Sequence, residues 1–363
     1  MTRVLVAAWV GSTNLGDELV FAGLRRKLVA RGVAVAALSV DPRGTAATHG
    51  VQALDHRDLG GLVHAVGEAD AVVFGGGGLL QDETSLLNLP YHLSRLQVAR
   101  RRHTPFAVVG VGAGRLDTRL GRALVRRGLR SAVAVSARDT ASARLLGEVG
   151  VEGVRVSADL ALALDPPPVQ PADRLVACLR PWSAGRKRVP AGLRADTTPP
   201  AVVHAAARGL DEAASATGLP VHLVALQADR DDAFHRRVAE RMRTPATTAS
   251  PSLAGVLVEV ARSRAVVAMR YHGGIGAVLG GRPCVLVGYA PKVDALAGEL
   301  GPGGALLPWS AEGMTGVAGA LGGVMRHADA VVEARERLRA RERGNDAVLD
   351  ELLATGGGGR VPS

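Results

Sequence analysis

The chain has 363 residues, a length that suits two domains at roughly 100–200 residues each. Apolar residues make up 47%, enough for two cores, yet no run reaches the roughly 18–20 apolar residues that span a bilayer. The net charge of +10 is spread over scattered arginines, and aromatic residues are only 3%, which argues against a stacking platform for nucleic acid and favours anionic small substrates or an anionic membrane surface.

The opening apolar stretch at 4–10 is too short for a membrane span and no small-residue cleavage site follows, so it reads as a first strand and not as a leader peptide. Cys178 and Cys284 lie far apart without a pairing pattern, and neither a disulfide framework nor a metal site is expected. These features predict a cytoplasmic protein. Continuous apolar runs at 4–8, 33–38, 71–74, 106–109 and 133–136 read as strands buried on both faces. Val20, Leu24 and Leu28 recur every four residues between the first two, and Gly32 supplies a helix stop. A last strand near 154–157 precedes the prolines at 166–168, which read as an interdomain linker. A second series follows at 175–179, 221–226, 265–268 and 284–287. The basic segment 186–200 lacks apolar periodicity and reads as a long loop. Residues 330–353 read as one charged helix, and the glycine-rich tail begins at Gly356.

Alternating strands and helices predict an α/β fold of two Rossmann-like domains facing a cleft, the GT-B-like layout. The expected divisions are 1–165, 169–335 and a C-terminal helix and tail at 336–363. In such sheets ligands bind beyond the carboxyl ends of strands, so the turns that follow strands are the places to look. The first is Gly11-Ser-Thr-Asn-Leu-Gly-Asp-Glu18, which opens a helix. Asp17 there suits a base that receives a proton from a hydroxyl, and Asn14 with Asp17 equally suits a variant capping box. The second is Gly75-Gly-Gly-Gly-Leu-Leu-Gln-Asp-Glu-Thr-Ser85, where Gly76 and Gly77 allow close backbone approach and Gln81, Asp82, Thr84 and Ser85 supply polar groups. Neither turn has the spacing of a dinucleotide fingerprint. The third, Ser136-Ala-Arg-Asp139, places Arg138 at a strand end, where it suits a carboxylate or phosphate or simply pairs with Asp139. The fourth is Met269-Arg-Tyr-His-Gly-Gly274, followed after the next strand by Gly288-Tyr-Ala-Pro-Lys-Val293. Arg270, His272 and Lys292 are expected to converge there. Lys292 is one of three lysines in the chain, with Lys27 and Lys187.

Taken in order with Gly110–Gly114, Ala158-Asp159 and Leu179-Arg-Pro-Trp182, these segments resemble the polysaccharide pyruvyl transferase family, in particular the CsaB type that modifies secondary cell-wall polymers. The resemblance runs from about residue 11 to residue 294. It implies a GT-B-like fold, phosphoenolpyruvate as donor substrate with no further cofactor, and a cyclic ketal on a sugar as product. It implies that Arg138, His272 and Lys292 form the donor site, with Arg270 a further candidate. His272 is then the general acid, and Asp17 or Asp82 from the other domain the base. The acceptor is a glycan, lipid-linked in one version, which would give the basic surface a use in peripheral membrane contact. The chain departs from the family at Tyr271, Gly273-Gly274, Asn88–His92, Ala290 and Ala113–Arg115. These departures leave the donor chemistry intact and the acceptor open. The rival reading is a GT-B glycosyltransferase with a nucleotide-sugar donor.

Overall fold

Strands as apolar as Ala71–Gly75 and Leu175–Cys178 have no face to offer water, so each must be covered by helices on both sides. The computed structural model satisfies this twice. It describes residues 1–82, 87–165, 168–181 and 198–356. Thr84 and Ser85, two of the three prolines of the expected linker, Trp182, most of the expected 186–200 loop and the tail beyond Gly356 lie outside the described residues.

The first sheet comprises β1 (Arg3–Val10), β2 (Ala34–Ser39), β3 (Gln52–Asp55), β4 (Ala71–Gly75), β5 (Phe106–Val111), β6 (Val135–Ala137) and β7 (Val154–Val156). All pairings are parallel, in the order β3-β2-β1-β4-β5-β6-β7. Its connecting helices are α1 (Leu15–Ala30), α2 (Pro42–His49), α3 (Leu59–Glu68), α4 (Asn88–Arg101), α5 (Arg119–Leu129) and α6 (Thr140–Val149). The second sheet comprises β8 (Leu175–Cys178), β9 (Val221–Val224), β10 (Ala246–Ala249), β11 (Ala265–Ala268), β12 (Cys284–Gly288) and β13 (Gly304–Pro308). It is also parallel, in the order β10-β9-β8-β11-β12-β13. Around it lie α7 (Pro200–Thr217), α8 (Ala228–Ala239), α9 (Leu253–Ala261), α10 (Tyr271–Gly280), α11 (Pro291–Leu300), α12 (Ala311–Thr315) and α13 (Val317–Met325). This is the two-sheet, GT-B-like arrangement.

Helix α1 forms as its pattern predicts. Val20, Leu24 and Leu28 are buried, and the Asn14 side chain caps the start by accepting from the Gly16 amide at 3.2 Å. The C-terminal stretch differs from the single helix expected over 330–353. It breaks at Arg343 into α14 (Ala328–Glu342) and α15 (Gly344–Gly356). Helix α14 packs on the second domain through Val331, Ala334 and Leu338, while α15 returns to the first sheet through Val348, Leu349 and Leu352. Buried Asn345 anchors the break, accepting from the Ser136 hydroxyl at 2.7 Å and donating to the Ala158 carbonyl at 3.2 Å. Lys27 of α1 bridges both helices, at 3.0 Å from Glu342 and 2.9 Å from Asp346. The domains also share apolar packing, since Leu19, Ala158, Ala161 and Leu162 belong to the same cluster as α10, α11 and α14.

Candidate active site

Each sheet reverses its strand order once, between β1 and β4 in the first and between β8 and β11 in the second. Connections leave in opposite directions at such a point and open a crevice at the carboxyl ends. The Gly11–Glu18 and Gly75–Gly78 turns follow β1 and β4. Arg180 and the segment from Met269 to His272 follow β8 and β11, with Tyr289 to Lys292 after the neighbouring β12. The two edges face one another and touch. The Leu15 amide donates to the Leu226 carbonyl across the domains at 2.8 Å, and Gln227 Nε2 donates to Thr13 Oγ1 at 3.2 Å.

On the first-domain side, buried Glu18 shapes the Gly11 turn. Its Oε1 accepts from the Gly11 amide at 2.8 Å and the Ser12 amide at 3.1 Å, while Oε2 meets His49 Nε2 at 2.8 Å. Asn14 caps the helix and also donates through Nδ2 to Asp17 Oδ2 at 2.7 Å. The capping and the functional reading of this turn are therefore compatible. Burial raises the Asp17 carboxyl above the usual carboxylate range, against the opposing pull of His272, the Asn14 hydrogen bond and Lys292. The glycine turn runs alongside: a Cβ on Gly77 would lie 3.5 Å from Asp17 Oδ1. Gly76 has φ +73° and a Cβ there would meet Val20 at 2.2 Å, so both its conformation and its packing against α1 demand glycine.

The third and fourth segments meet across the cleft. Asp139 caps α6, accepting from the Ser142 amide at 2.6 Å, and holds Arg138 Nε at 3.2 Å. The guanidinium lies 5.0 Å from the centre of the Tyr271 ring in the other domain. Gly112 makes room for it, because a Cβ would fall 2.4 Å from Arg138 Cζ. Lys292 Nζ approaches the same Tyr271 ring at 5.6 Å and the Tyr289 ring at 5.8 Å. Beyond Tyr289 stands Arg180, with Cζ 4.9 Å from that ring. The result is a row of alternating cations and aromatic rings: Arg138, Tyr271, Lys292, Tyr289, Arg180. Beside it, His272 Nε2 faces Asp159 Oδ2 of the first domain at 3.6 Å. Both atoms are buried and neither has a hydrogen-bond partner, so a small approach would satisfy both. The other ring nitrogen, Nδ1, lies against Gly16, where a Cβ would sit at 2.2 Å. Burial disfavours ionised Asp159, but His272, Arg138 and the Ala161 amide outweigh it and hold the carboxyl below the usual range.

Two expected site residues are held elsewhere. Arg270 shares the loop of His272, but its guanidinium forms a two-pronged ion pair with Asp231, through Nε to Oδ2 at 3.0 Å and through Nη2 to Oδ1. It therefore enters the site as the buried anchor of that loop. Asp82 is 2% exposed and its carboxylate clasps the turn before α5. It accepts from the Asp117 amide at 2.9 Å, the Thr118 amide at 3.0 Å and the Thr118 hydroxyl at 2.6 Å. These bonds outweigh burial and hold it below the usual carboxylate range, as suits an ionised clasp rather than a base.

Asp159, Arg180 and Tyr289 lay inside the recognised segments without an assigned part. The Tyr289 phenol is lowered. Burial alone would raise it, yet Lys292, Arg180 and Arg270, with a hydrogen bond from Arg180, bring it down to about 7. The other two tyrosines, Tyr91 and Tyr271, are pushed above the ordinary range, by burial first. A spectrophotometric titration of the folded protein should show one tyrosine of three ionising near neutrality, and Tyr289→Phe should remove that step. A step that persists in the variant would show that the cations do not act on Tyr289. Linkage has a definite sign here. The folded phenol is lower than the ordinary value of about 10, so its stabilising contribution is complete above pH 10 and is lost as pH falls through about 7.

Comparison with known proteins gives a consistent picture. The fold is similar to that of the UDP-GlcNAc 2-epimerase of Neisseria meningitidis, with a TM-score of 0.62 and 10% identity over 98% of this chain and 100% of that one. It is similar to Acinetobacter baumannii MurG, with a TM-score of 0.57 and 12% identity over 98% and 100%. It is also similar to the spinosyn rhamnosyltransferase SpnG, with a TM-score of 0.52 and 13% identity over 98% and 100%. At these identities the likeness is one of fold. No curated protein matches the sequence. The sequence profile of the polysaccharide pyruvyl transferases matches residues 14–291, most of the chain, taking in Asp17, Arg138, Asp159, His272 and Tyr289 and ending one residue before Lys292. The chain belongs to the polysaccharide pyruvyl transferase family.

Proposed function

We propose that this enzyme, a transferase of the CsaB type, moves a pyruvyl group from phosphoenolpyruvate to two hydroxyls of a glycan sugar, forming a cyclic ketal and releasing phosphate. The observation that carries the reading is the convergence of Arg138 and Lys292, from different domains, on one ring, with His272 next to that ring in sequence. A substrate bearing both a carboxylate and a phosphate needs two separated cations, and a cleft between domains supplies them. Arg180 extends the same row and fits as a further anion contact.

In the proposed reaction, His272 gives a proton to the methylene carbon through Nδ1, the nitrogen on the Gly16 side of the ring, away from Asp159. Asp159 orients the ring from the Nε2 side. The central carbon becomes electrophilic and a sugar hydroxyl attacks it. Asp17 takes the hydroxyl proton, a task that suits a carboxyl raised by burial. The carbon–oxygen bond to phosphate breaks, and Lys292 and Arg138 stabilise the departing charge. The second hydroxyl then closes the ketal and its proton leaves with the phosphate. Of the two protons that leave the diol, one departs with the phosphate, and the one taken up by Asp17 replaces the proton that His272 gave to the methylene, so the balance is met. Holding donor and diol together in a closed cleft favours ring closure over release.

The deciding experiment is thermal unfolding of the purified protein with phosphoenolpyruvate and, separately, with nucleotide-sugars. A ligand that binds only the native state at about 100 times its Kd adds about 2.7 kcal/mol of stability. Phosphoenolpyruvate is expected to raise Tm, and Lys292→Ala to abolish the rise. A rise with a nucleotide-sugar and none with phosphoenolpyruvate would replace this reading by that of a glycosyltransferase.

A further inference from the structure

Helices α4 and α5 carry seven arginines between them and no carboxylate. On α5 the buried residues are Gly121, Val125, Gly128 and Leu129, so its outer face presents Arg119, Arg122, Arg126 and Arg127, continued by Arg130 at its end. Among the described residues none of these five guanidinium groups has a carboxylate partner. Several exposed arginines elsewhere on the molecule do: Arg26 meets Asp165 at 2.7 Å, Arg155 meets Glu351 at 2.6 Å and Arg264 meets Asp173 at 2.8 Å. The α5 face therefore gathers five guanidinium groups without carboxylate partners on one helix and its end.

The same layer exposes large apolar side chains. Leu59 is 68% exposed, Leu87 76% and Leu120 70%, and each stands at or just before the first turn of α3, α4 and α5 respectively. Helix α4 packs between α3 and α5, so the three leucines follow one another along the carboxyl edge of the first sheet. That edge also carries the Gly75 turn and Gly112, and so opens onto the candidate active site. Exposed leucines next to unpaired cations suit an interface that is apolar beneath and anionic above. Nucleic acid would answer the charge but not the leucines.

We propose that the α3–α5 layer is a docking surface for an anionic lipid bilayer, with the α5 arginines against the headgroups and Leu59, Leu87 and Leu120 entering the interface. No helix among the described residues is long and apolar enough to cross a membrane, so attachment by this face is peripheral. The proposal does not depend on the donor assignment. It would place the mouth of the cleft beside the bilayer, where a lipid-carried acceptor is presented.

The test is co-sedimentation of the full chain with vesicles of mixed phosphatidylglycerol and phosphatidylcholine, and with vesicles of phosphatidylcholine alone. Binding is expected to the mixed vesicles at low salt, to fall steeply as salt rises, and to be absent on the neutral ones. Arg126→Gln with Arg127→Gln, at exposed positions outside the cleft, should leave Tm unchanged. The pair should weaken partitioning about 25-fold, at roughly fivefold for each arginine. Leu120→Ser should weaken it further without changing the charge. Equal binding to neutral vesicles, no binding to either, or indifference to the arginine pair would overturn the proposal. So would lipid-free self-association, or binding to duplex DNA, that the same variants abolish, because the face would then belong to another partner.

Discussion

His272→Ala is expected to lower ketal formation by roughly 10²–10⁴-fold while the rise in Tm caused by phosphoenolpyruvate remains. The separation of the two effects follows from the geometry. The donor's charges are assigned to Arg138 and Lys292, and neither depends on the imidazole for its position. Arg138 is held by Asp139 at 3.2 Å, and Lys292 rises from the first turn of α11. Removing the ring leaves Asp159 near Arg138, with Oδ1 still accepting from the Ala161 amide at 3.0 Å, so the buried carboxylate keeps partners and the fold should survive. Parallel measurements of product formation and of ligand-dependent melting check this. Residual turnover within a few-fold of the parent enzyme would remove His272 as the acid. Loss of the ligand-induced shift would instead make it a binding residue.

Asp231→Ala is expected to destabilise the protein by about 3–5 kcal/mol, because it leaves the buried Arg270 guanidinium without its counter-ion. At about 2–4 °C per kcal/mol for domains of this size, Tm should fall by roughly 6–20 °C. Asp231 has 0% exposure, and besides Arg270 it accepts from the Leu226 amide at 3.2 Å and the Gln227 amide at 3.0 Å. Those two residues also touch the first domain through Leu15 and Thr13. The variant should therefore loosen the interdomain contact together with the His272 loop, and activity should fall more than stability alone implies. A double variant, Asp231→Leu with Arg270→Met, removes both charges and should lose much less stability than the single one. Scanning calorimetry of the three proteins decides the matter. A single variant that costs less than about 1 kcal/mol would mean that water reaches and solvates Arg270.

The interior of both sheets was legible in the chain because a strand buried on two faces must be apolar throughout. Strands β1, β2, β4, β5, β8, β11 and β12 all lie where continuous apolar runs predict them. Strands β3, β10 and β13 escaped that signal for one reason: each is a sheet edge. Gln52–Asp55, Ala246–Ala249 and Gly304–Pro308 contain no fully buried residue, so nothing obliges them to be uniformly apolar. The C-terminal break was misread for a related reason. Gly344 carries a local stop signal, but what makes it decisive is the buried pairing of Asn345 with Ser136, 209 positions earlier in the chain.

The site divides along the same line. Loops after strands can be read locally, and that sufficed to mark Asp17, Arg138, His272 and Lys292 and the glycine turns as candidates for one cleft. Pairing between such loops depends on strand order, which local pattern does not contain. Only the folded chain brings Asp159 to His272 and Arg180 to Tyr289, removes Arg270 into an ion pair with Asp231, and commits Asp82 to the Thr118 turn. A charged side chain announces its chemistry wherever it stands. Whether that charge is left for a substrate or neutralised by a neighbour is decided by residues tens of positions away, through burial and distance.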